Sequence, residues 1–330
     1  MNTLSKQDVN ALELLIKSKQ DRTKRIVSKF LKKYYPNMIE TKDYIFAEGT
    51  IPIALVAHMD TVFEHDIGDK ELFYDKEKNV MFSPQGAGFD DKAGIFAIIQ
   101  IIRGGLRPHV IFTTDEECGA FGAEALAKLS CPFSDLRYII QLDRRGSDDC
   151  VFYDCNNVPF EDYIENFGFT WNYGSFTDIS VLCPAWEVAG VNLSVGYRDE
   201  HTRAEVLFVG QFLNTVNKVK KMLTAEMPQK FEYIPNPYSK YSLFFDKWYG
   251  TNVGQDGVIK CDHCKKYFLE ADIFPTIGLN KKTKFYCCDC VADKVAWCRL
   301  CGEAYEKLTA DAPDEGVCPN CVEEVSECSK

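Results

Sequence analysis

The chain is expected to fold as an α/β domain, with a mostly parallel or mixed central sheet carrying helices on both faces, plus a small zinc-stabilised C-terminal module. Three observations lead there. Short apolar runs alternate with helix-period segments between residues 51 and 222, the pattern of strands joined by crossover helices. Residues that bind metals fall just past the ends of those runs, where open α/β sheets hold their ligands. Eight of the fifteen cysteines form four Cys-x-x-Cys pairs after residue 259, a spacing that chelates metal and seldom builds a disulfide scaffold.

The elements follow in order. Residues 7–18 read as a helix with Leu12, Leu14, Leu15 and Ile16 on its apolar stripe. A second helix over 22–35 carries Ile26, Val27, Phe30, Leu31 and Tyr34, and Pro36 stops it. This opening holds nine Lys/Arg against three Asp/Glu up to residue 35, which reads as a solvated helix face. Residues 51–57 form an apolar strand that ends at His58, and 72–74 with 80–82 suggest a hairpin. A buried helix over 92–102 is followed by a strand over 109–113, a helix over 120–129 and a strand over 138–142. Another strand over 188–195 and a long helix over 203–222 complete the main domain, 1–226. Residues 227–258 are broken by Pro228, Pro235, Pro237, Gly250, Gly254 and Gly257 and hold eight aromatic residues between 231 and 249. They read as a connector, with the cysteine module over 259–330 beyond it.

Bulk properties set limits. A length of 330 residues suits one large α/β domain and something smaller, and 46% apolar residues is normal for a packed core. A net charge of −11 argues against general nucleic-acid binding. The opening MNTLSKQDVN lacks the apolar region of a secretory signal. The longest nearly apolar run, 94–102, is far too short to span a bilayer. The expectation is a cytoplasmic protein without membrane contact, in a reducing compartment where zinc holds the thiolates.

The chemistry lies in five fragments. They are His58-Met59-Asp60-Thr61, Gly86-Ala87-Gly88-Phe89-Asp90-Asp91-Lys92-Ala93-Gly94, Asp115-Glu116-Glu117, Leu142-Asp143-Arg144 and Glu200-His201-Thr202. In order they supply His, Asp, a Glu pair, Asp and His, which is a ligand set for two metal ions with one carboxylate left over as a base. Taken singly, each has a plainer reading. A His after a strand is ordinarily a surface residue, Asp-Asp-Lys a helix cap, a Glu pair a solvated surface, and Asp143 a turn residue. Their order and shared placement at strand ends carry the metal reading. His65 and His109 lack such company and are expected to be surface or structural residues.

Together the fragments resemble the co-catalytic two-zinc exopeptidase superfamily, which includes peptidase T-like tripeptidases, zinc aminopeptidases and acyl-amino-acid hydrolases. The matching motifs span His58 to His201, about half of the chain. The resemblance implies that His58 and Asp143 bind one zinc, Glu117 and His201 the second, and that Asp90 bridges them. Asp60 would orient His58 through its far nitrogen, and Glu116 would be the general base. Asp91 would open a helix, its carboxylate meeting free N–H groups. The implied cofactors are two catalytic Zn(2+), with cobalt or manganese compatible with a nitrogen–oxygen site. Two-domain members insert a lid between the last carboxylate ligand and the final His. Here Asp143 and His201 stand 58 positions apart (201 − 143), room only for core elements, so no lid is expected.

The implied function is a metal-dependent exopeptidase that hydrolyses short peptides as an aminopeptidase. The alternatives are an amidase or deacylase acting on N-acyl amino acids, and a non-catalytic protein that binds through its zinc module. Arg144 and Arg145, directly after a ligand, would clamp a peptide carboxylate or else neutralise the acidic site, and Arg198 is a third candidate. Thr177 and Asp178 are further candidates to reach the cleft from a loop.

In the tail, Cys261, Cys264, Cys287 and Cys290 precede Cys298, Cys301, Cys318 and Cys321. Two structural Zn(2+) are expected, in a zinc ribbon or in a cross-braced module if the first pair joins the third. Cys288 and Cys328 are left over as free thiols. Six lysines cluster in the first half of the tail, while ten acids oppose four bases from residue 285. Contact with a protein partner, or docking on the main domain, is therefore favoured over nucleic acid.

Overall fold

The computed structural model describes residues 3–63, 70–226 and 229–235. In the tail it describes 258–269, 273–278, 282–287, 290–291, 294–298, 304–307 and 318–319. The chain divides into two compact units, Met1–Pro237 and Tyr238–Lys330. His65, Cys288, Cys301, Cys321, Cys328 and most of the expected connector lie outside the described residues.

The first unit opens with α1 (Lys6–Ile16) and α2 (Gln20–Leu31). Ser5 caps α1 by accepting a hydrogen bond from the Asp8 amide at 3.2 Å. Strands β1 (Met38–Glu40) and β2 (Tyr44–Ala47) lead to β3 (Ile51–His58), and β4 (Phe73–Asp75) with β5 (Val80–Phe82) form a hairpin. Then come α3 (Phe89–Arg103), β6 (Pro108–Thr113), α4 (Phe121–Ala127), β7 (Tyr138–Arg144), β8 (Asp149–Val151), α5 (Val158–Glu165), β9 (Thr170–Trp171) and α6 (Asp178–Trp186). Strands β10 (Gly190–Ser194), β11 (Tyr197–Arg198) and β12 (Val206–Phe208) precede α7 (Val209–Thr224).

The main sheet has the order β1-β2-β6-β3-β7-β10-β8-β9. Its centre, β6-β3-β7-β10, is parallel, while β2 and β8 join it antiparallel. It is the mixed α/β sheet that the alternating pattern predicts. Both faces are covered. Along β3, Ile53, Leu55 and Ala57 enter a core with Phe96, Ile98 and Ile102 of α3 and Phe212 and Val216 of α7. The intervening Ala54 and Val56 enter another with Leu126 of α4 and Leu182 of α6. The side-chain period of two sends neighbours to opposite faces, so a strand covered on both sides reads as one apolar run.

The structure departs from the sequence reading at several elements. The long helix begins at Val209, not 203, because Val206–Phe208 pairs with β5 and builds a second antiparallel sheet, β11-β12-β5-β4. The stretch between β7 and β10 holds β8, α5, β9 and α6, none of which the hydrophobic pattern resolves. Helix α2 stops at Leu31, four residues before the expected end, in a turn over 32–34. No helix among the described residues is long and apolar enough to cross a membrane.

In the second unit, β13 (Val258–Lys260) and β14 (Tyr267–Leu269) form a hairpin. A four-stranded sheet follows, composed of β15 (Ile273–Ile277), β16 (Thr283–Cys287), β17 (Val295–Trp297) and β18 (Ala304–Glu306), in the order β16-β15-β18-β17.

Candidate metal centre

The C-terminal ends of β3, β6 and β7 converge on one point, and the five sequence fragments meet there. Strand β3 ends at His58, fully buried. Its Nε2 lies 3.1 Å from Asp90 Oδ1, 3.4 Å from Asp143 Oδ1 and 3.9 Å from Glu116 Oε2. On the other side of Asp90, His201 Nε2 lies 3.2 Å from Asp90 Oδ2 and 2.9 Å from Glu117 Oε2. Two groups of possible metal donors result, His58/Asp90/Asp143 and Asp90/Glu117/His201, each with its donor atoms within 4.8 Å of one another. Asp90 belongs to both, one oxygen toward each imidazole. Glu116 belongs to neither, although it stands at the same cluster.

The loop carrying Asp90 is held from beneath. Glu205, fully buried, accepts hydrogen bonds from the Gly88 amide at 2.5 Å and the Phe89 amide at 3.0 Å on Oε2, and from the Asp90 amide at 3.0 Å on Oε1. Gly88 takes a φ of +71°, and a Cβ there would lie 2.6 Å from Thr61 Oγ1, so the glycine is required. The Asp90–Asp91 peptide is cis. Asp91 turns the other way, accepting from the His58 amide at 3.2 Å and the Gly94 amide at 2.9 Å, the helix-opening role expected of it. Gly94 lets α3 approach β7, since a Cβ there would lie 2.0 Å from the Leu142 carbonyl oxygen.

Asp60 does more than orient a ring. Its Oδ1 is 3.2 Å from His58 Nδ1, and its two oxygens accept from the Glu116 amide at 3.1 Å and the Glu117 amide at 3.0 Å. One carboxylate thus ties the first imidazole to the Glu pair. Asp115, just before that pair, has φ +56° and is gripped by Gln20 of α2. The Gln20 amide nitrogen donates to Asp115 Oδ1, and the Asp115 backbone N–H donates to Gln20 Oε1, both at 2.9 Å. Asp143 accepts from Thr177 Oγ1 at 2.8 Å, Gln141 Nε2 at 3.1 Å and Tyr197 OH at 3.3 Å. Thr177 therefore reaches the site, whereas Asp178 is buried behind it and accepts from Thr113 at 2.5 Å.

The electrostatics are those of a site short of positive charge. Burial opposes ionisation of His58, but Asp143, Asp60 and Asp90 outweigh it and hold its pKa well above 6.5. Hydrogen bonds donated by its ring to the Asp90 and Glu117 carboxylates push that of His201 up to about 11. Burial raises Glu116 well above the ordinary carboxylate value. Burial, then the charge of Asp90, raises Asp143 to about 7. Burial also lifts Glu205 to about 8, while its three N–H donors pull the other way. Glu117 Oε1 is buried without a hydrogen-bond partner, an acceptor left over for a cation. Imidazole nitrogen and carboxylate oxygen suit zinc and its first-row neighbours, so the residues present fit a pair of divalent ions.

A cavity of about 310 Å³ opens over this cluster, lined among others by Arg144, Arg145, Tyr153, Tyr173, Phe176 and Glu200. Arg145 pairs with Glu200 at 2.6 Å. Arg198 does not line the cavity, and its guanidinium lies 5.1 Å from the centre of the Phe208 ring. His109 is buried, accepting from the Gly49 amide at 3.0 Å and facing Asp135 at 2.9 Å, so of the two expected roles it has the structural one. Sequence reading missed Glu205 and Gln20, whose partners are over 90 positions away, and the only local hint was that Glu205 lies four residues past His201.

In the second unit, Cys261, Cys264, Cys287 and Cys290 come together with sulfurs within 4.8 Å of one another. The Cys287 amide faces Cys261 Sγ at 3.4 Å. The first pair therefore meets the second, not the third. Cys298 Sγ accepts from the Cys318 amide at 3.3 Å.

No protein-family model matches the chain, and no curated protein matches it. Solved structures do. An aminopeptidase from the archaeon Desulfurococcus kamchatkensis superposes with a TM-score of 0.53 at 14% identity, over 67% of this chain and 96% of that one. A TET aminopeptidase from a marine-sediment Thaumarchaeota archaeon gives 0.53 at 12% identity, over 67% and 97%. The aminopeptidase PepT of Bacillus cereus gives 0.50 at 15% identity, over 66% and 97%. At these identities the likeness is one of fold, and it establishes that about two thirds of the chain shares the architecture of these aminopeptidases.

Proposed function

We propose that the chain is a metal-dependent exopeptidase that hydrolyses short peptides, acting as an aminopeptidase in the cytoplasm, with residues 1–226 as its hydrolase domain. The observation that carries this is Asp90, whose two oxygens face two different imidazoles while Glu116 stands beside both donor groups and belongs to neither. The aminopeptidase names of the fold's relatives support the same reading.

His58, Asp90 and Asp143 would hold one ion and Asp90, Glu117 and His201 the other, zinc first. Such ions supply Lewis acidity toward the scissile carbonyl and make water a stronger acid. Glu116 takes a proton from the attacking water, whose oxygen bonds to the carbonyl carbon. The same carboxyl then delivers the proton to the amine nitrogen as the C–N bond breaks. Asp60 keeps His58 and Glu116 in register, and Glu205 keeps Asp90 beneath them.

The Cys261/Cys264/Cys287/Cys290 cluster supports one structural zinc in a ribbon-like module, and Cys298, Cys301, Cys318 and Cys321 would hold a second. We assign residues 227–258 to a connector and 259–330 to this module, as a surface for a protein partner. The test is metal quantitation combined with a cleavage panel of free peptides and N-acyl amino acids. About four zincs, two of them readily stripped by chelator with loss of peptide cleavage, is the expected result. Two resistant zincs and no cleavage would end the proposal.

A further inference from the structure

Two charged side chains in the cavity wall carry polar atoms that nothing among the described residues satisfies, and neither belongs to a candidate metal group. Arg144 directly follows Asp143 on β7, and its Nε is buried without a hydrogen-bond partner. Glu200 directly precedes His201. Its Oε1 accepts from Arg145 at 2.6 Å, while its Oε2 is buried and unpartnered. Both residues line the same cavity as Glu116 and His201.

A buried donor and a buried acceptor left unpaired both cost stability, and a site that keeps both is complementary to a ligand bearing an anion and a cationic donor. The Arg145 pairing matters here, because it fixes the Glu200 carboxylate and leaves one oxygen to offer. The size agrees, since about 310 Å³ lies at the low end of ligand pockets. Tyr173 and Phe176, 78% and 48% exposed, add apolar surface to the same wall.

We propose that this cavity takes a small zwitterionic peptide, dipeptide-sized, with Glu200 Oε2 receiving the α-ammonium and Arg144 the free carboxylate. The inference rests on the peptidase reading for the bond that lies over the metal centre. It adds to that reading a requirement for two free ends, the carboxylate being read by a core strand.

The test uses leucyl-phenylalanine, its C-terminal amide and its N-acetyl form with the zinc-loaded protein. In the wild type each block should lower kcat/KM by about 10–100-fold, the range of a hydrogen bond to a charged group. Arg144→Ala should lose discrimination against the amide alone, with part restored in Arg144→Lys. Glu200→Gln should lose discrimination against the acetylated form alone. Binding is read separately by calorimetry on Glu116→Gln protein, where the same preferences should appear in Kd. Blocked and free forms that bind equally, or variants that lose both preferences together, would overturn the assignment. Cleavage indifferent to both blocks would remove the two-ended site and leave the peptidase. Binding with both preferences but no turnover of any form would remove the peptidase and leave the site.

Discussion

Gly94→Ala is the smallest change that should reach the metal centre through packing alone. Gly94 sits in the second turn of α3, where the helix lies against β7. A methyl group there would stand 2.0 Å from the Leu142 carbonyl oxygen and 2.3 Å from Asp91 Oδ1. Ordinary contact begins at 3.4 Å, so about 1.4 Å must be found where Gly94 and Leu142 are both buried. Asp91 holds the amides of His58 and Gly94, and Leu142 is followed by Asp143, so the displacement falls on both sides of one donor group. Overpacking of this kind costs about 1–3 kcal/mol, which in a unit of this size lowers Tm by about 2–12 °C. A misplacement near 1 Å costs roughly 100-fold in turnover. Differential scanning calorimetry and peptide cleavage at saturating zinc measure the two effects. A variant with wild-type Tm and full activity would refute the close seating of α3 on β7.

Three other outcomes are expected. Glu116→Gln should lower kcat by about 10²–10⁴-fold with its metal content unchanged, and cleavage at the parental rate would show that another group moves the proton. Glu205→Gln replaces one acceptor oxygen by a donor facing backbone N–H groups, so unfolding in denaturant should show a loss of about 1–3 kcal/mol, and an unaltered midpoint would contradict the cradle beneath Asp90. His109 is held by burial below its ordinary pKa of 6.5, although Asp135 and Glu48 pull upward. The unfolded chain then binds the extra proton first. The contribution of His109 is present above pH 6.5 and is lost as pH falls through the folded pKa. Denaturation of wild type and His109→Gln between pH 7.5 and 5 should diverge in that direction, and parallel curves would refute it.

The parallel centre of the sheet was legible because β3, β6, β7 and β10 are largely buried and read as short, mostly apolar runs interrupted by single polar residues such as His109, Gln141 and Asn192. Each donor was legible because it stands at or just past an element boundary within a short distinctive string. Residues 158–165 and 178–186 were not legible as helices. In the second, Pro184 interrupts the pattern and the capping box of Thr177 and Ser180 has no acidic partner to announce it. Val206–Phe208 read as helix because its partner β5 lies more than 120 positions earlier, and only that pairing makes it a strand.

The order of His58, Asp90, Glu116, Glu117, Asp143 and His201 along the chain specified which atoms were on offer, since donor chemistry belongs to residue type. Which donor atoms come together, which carboxylate stays out of both groups, and which buried Glu holds the loop depended on strand register and on contacts across 32 to 117 positions. Those are distances in space, and a linear pattern carries them only through folding. The same holds for Arg144 and Glu200, whose charges are written in the sequence and whose unsatisfied atoms exist only once the cavity closes around them.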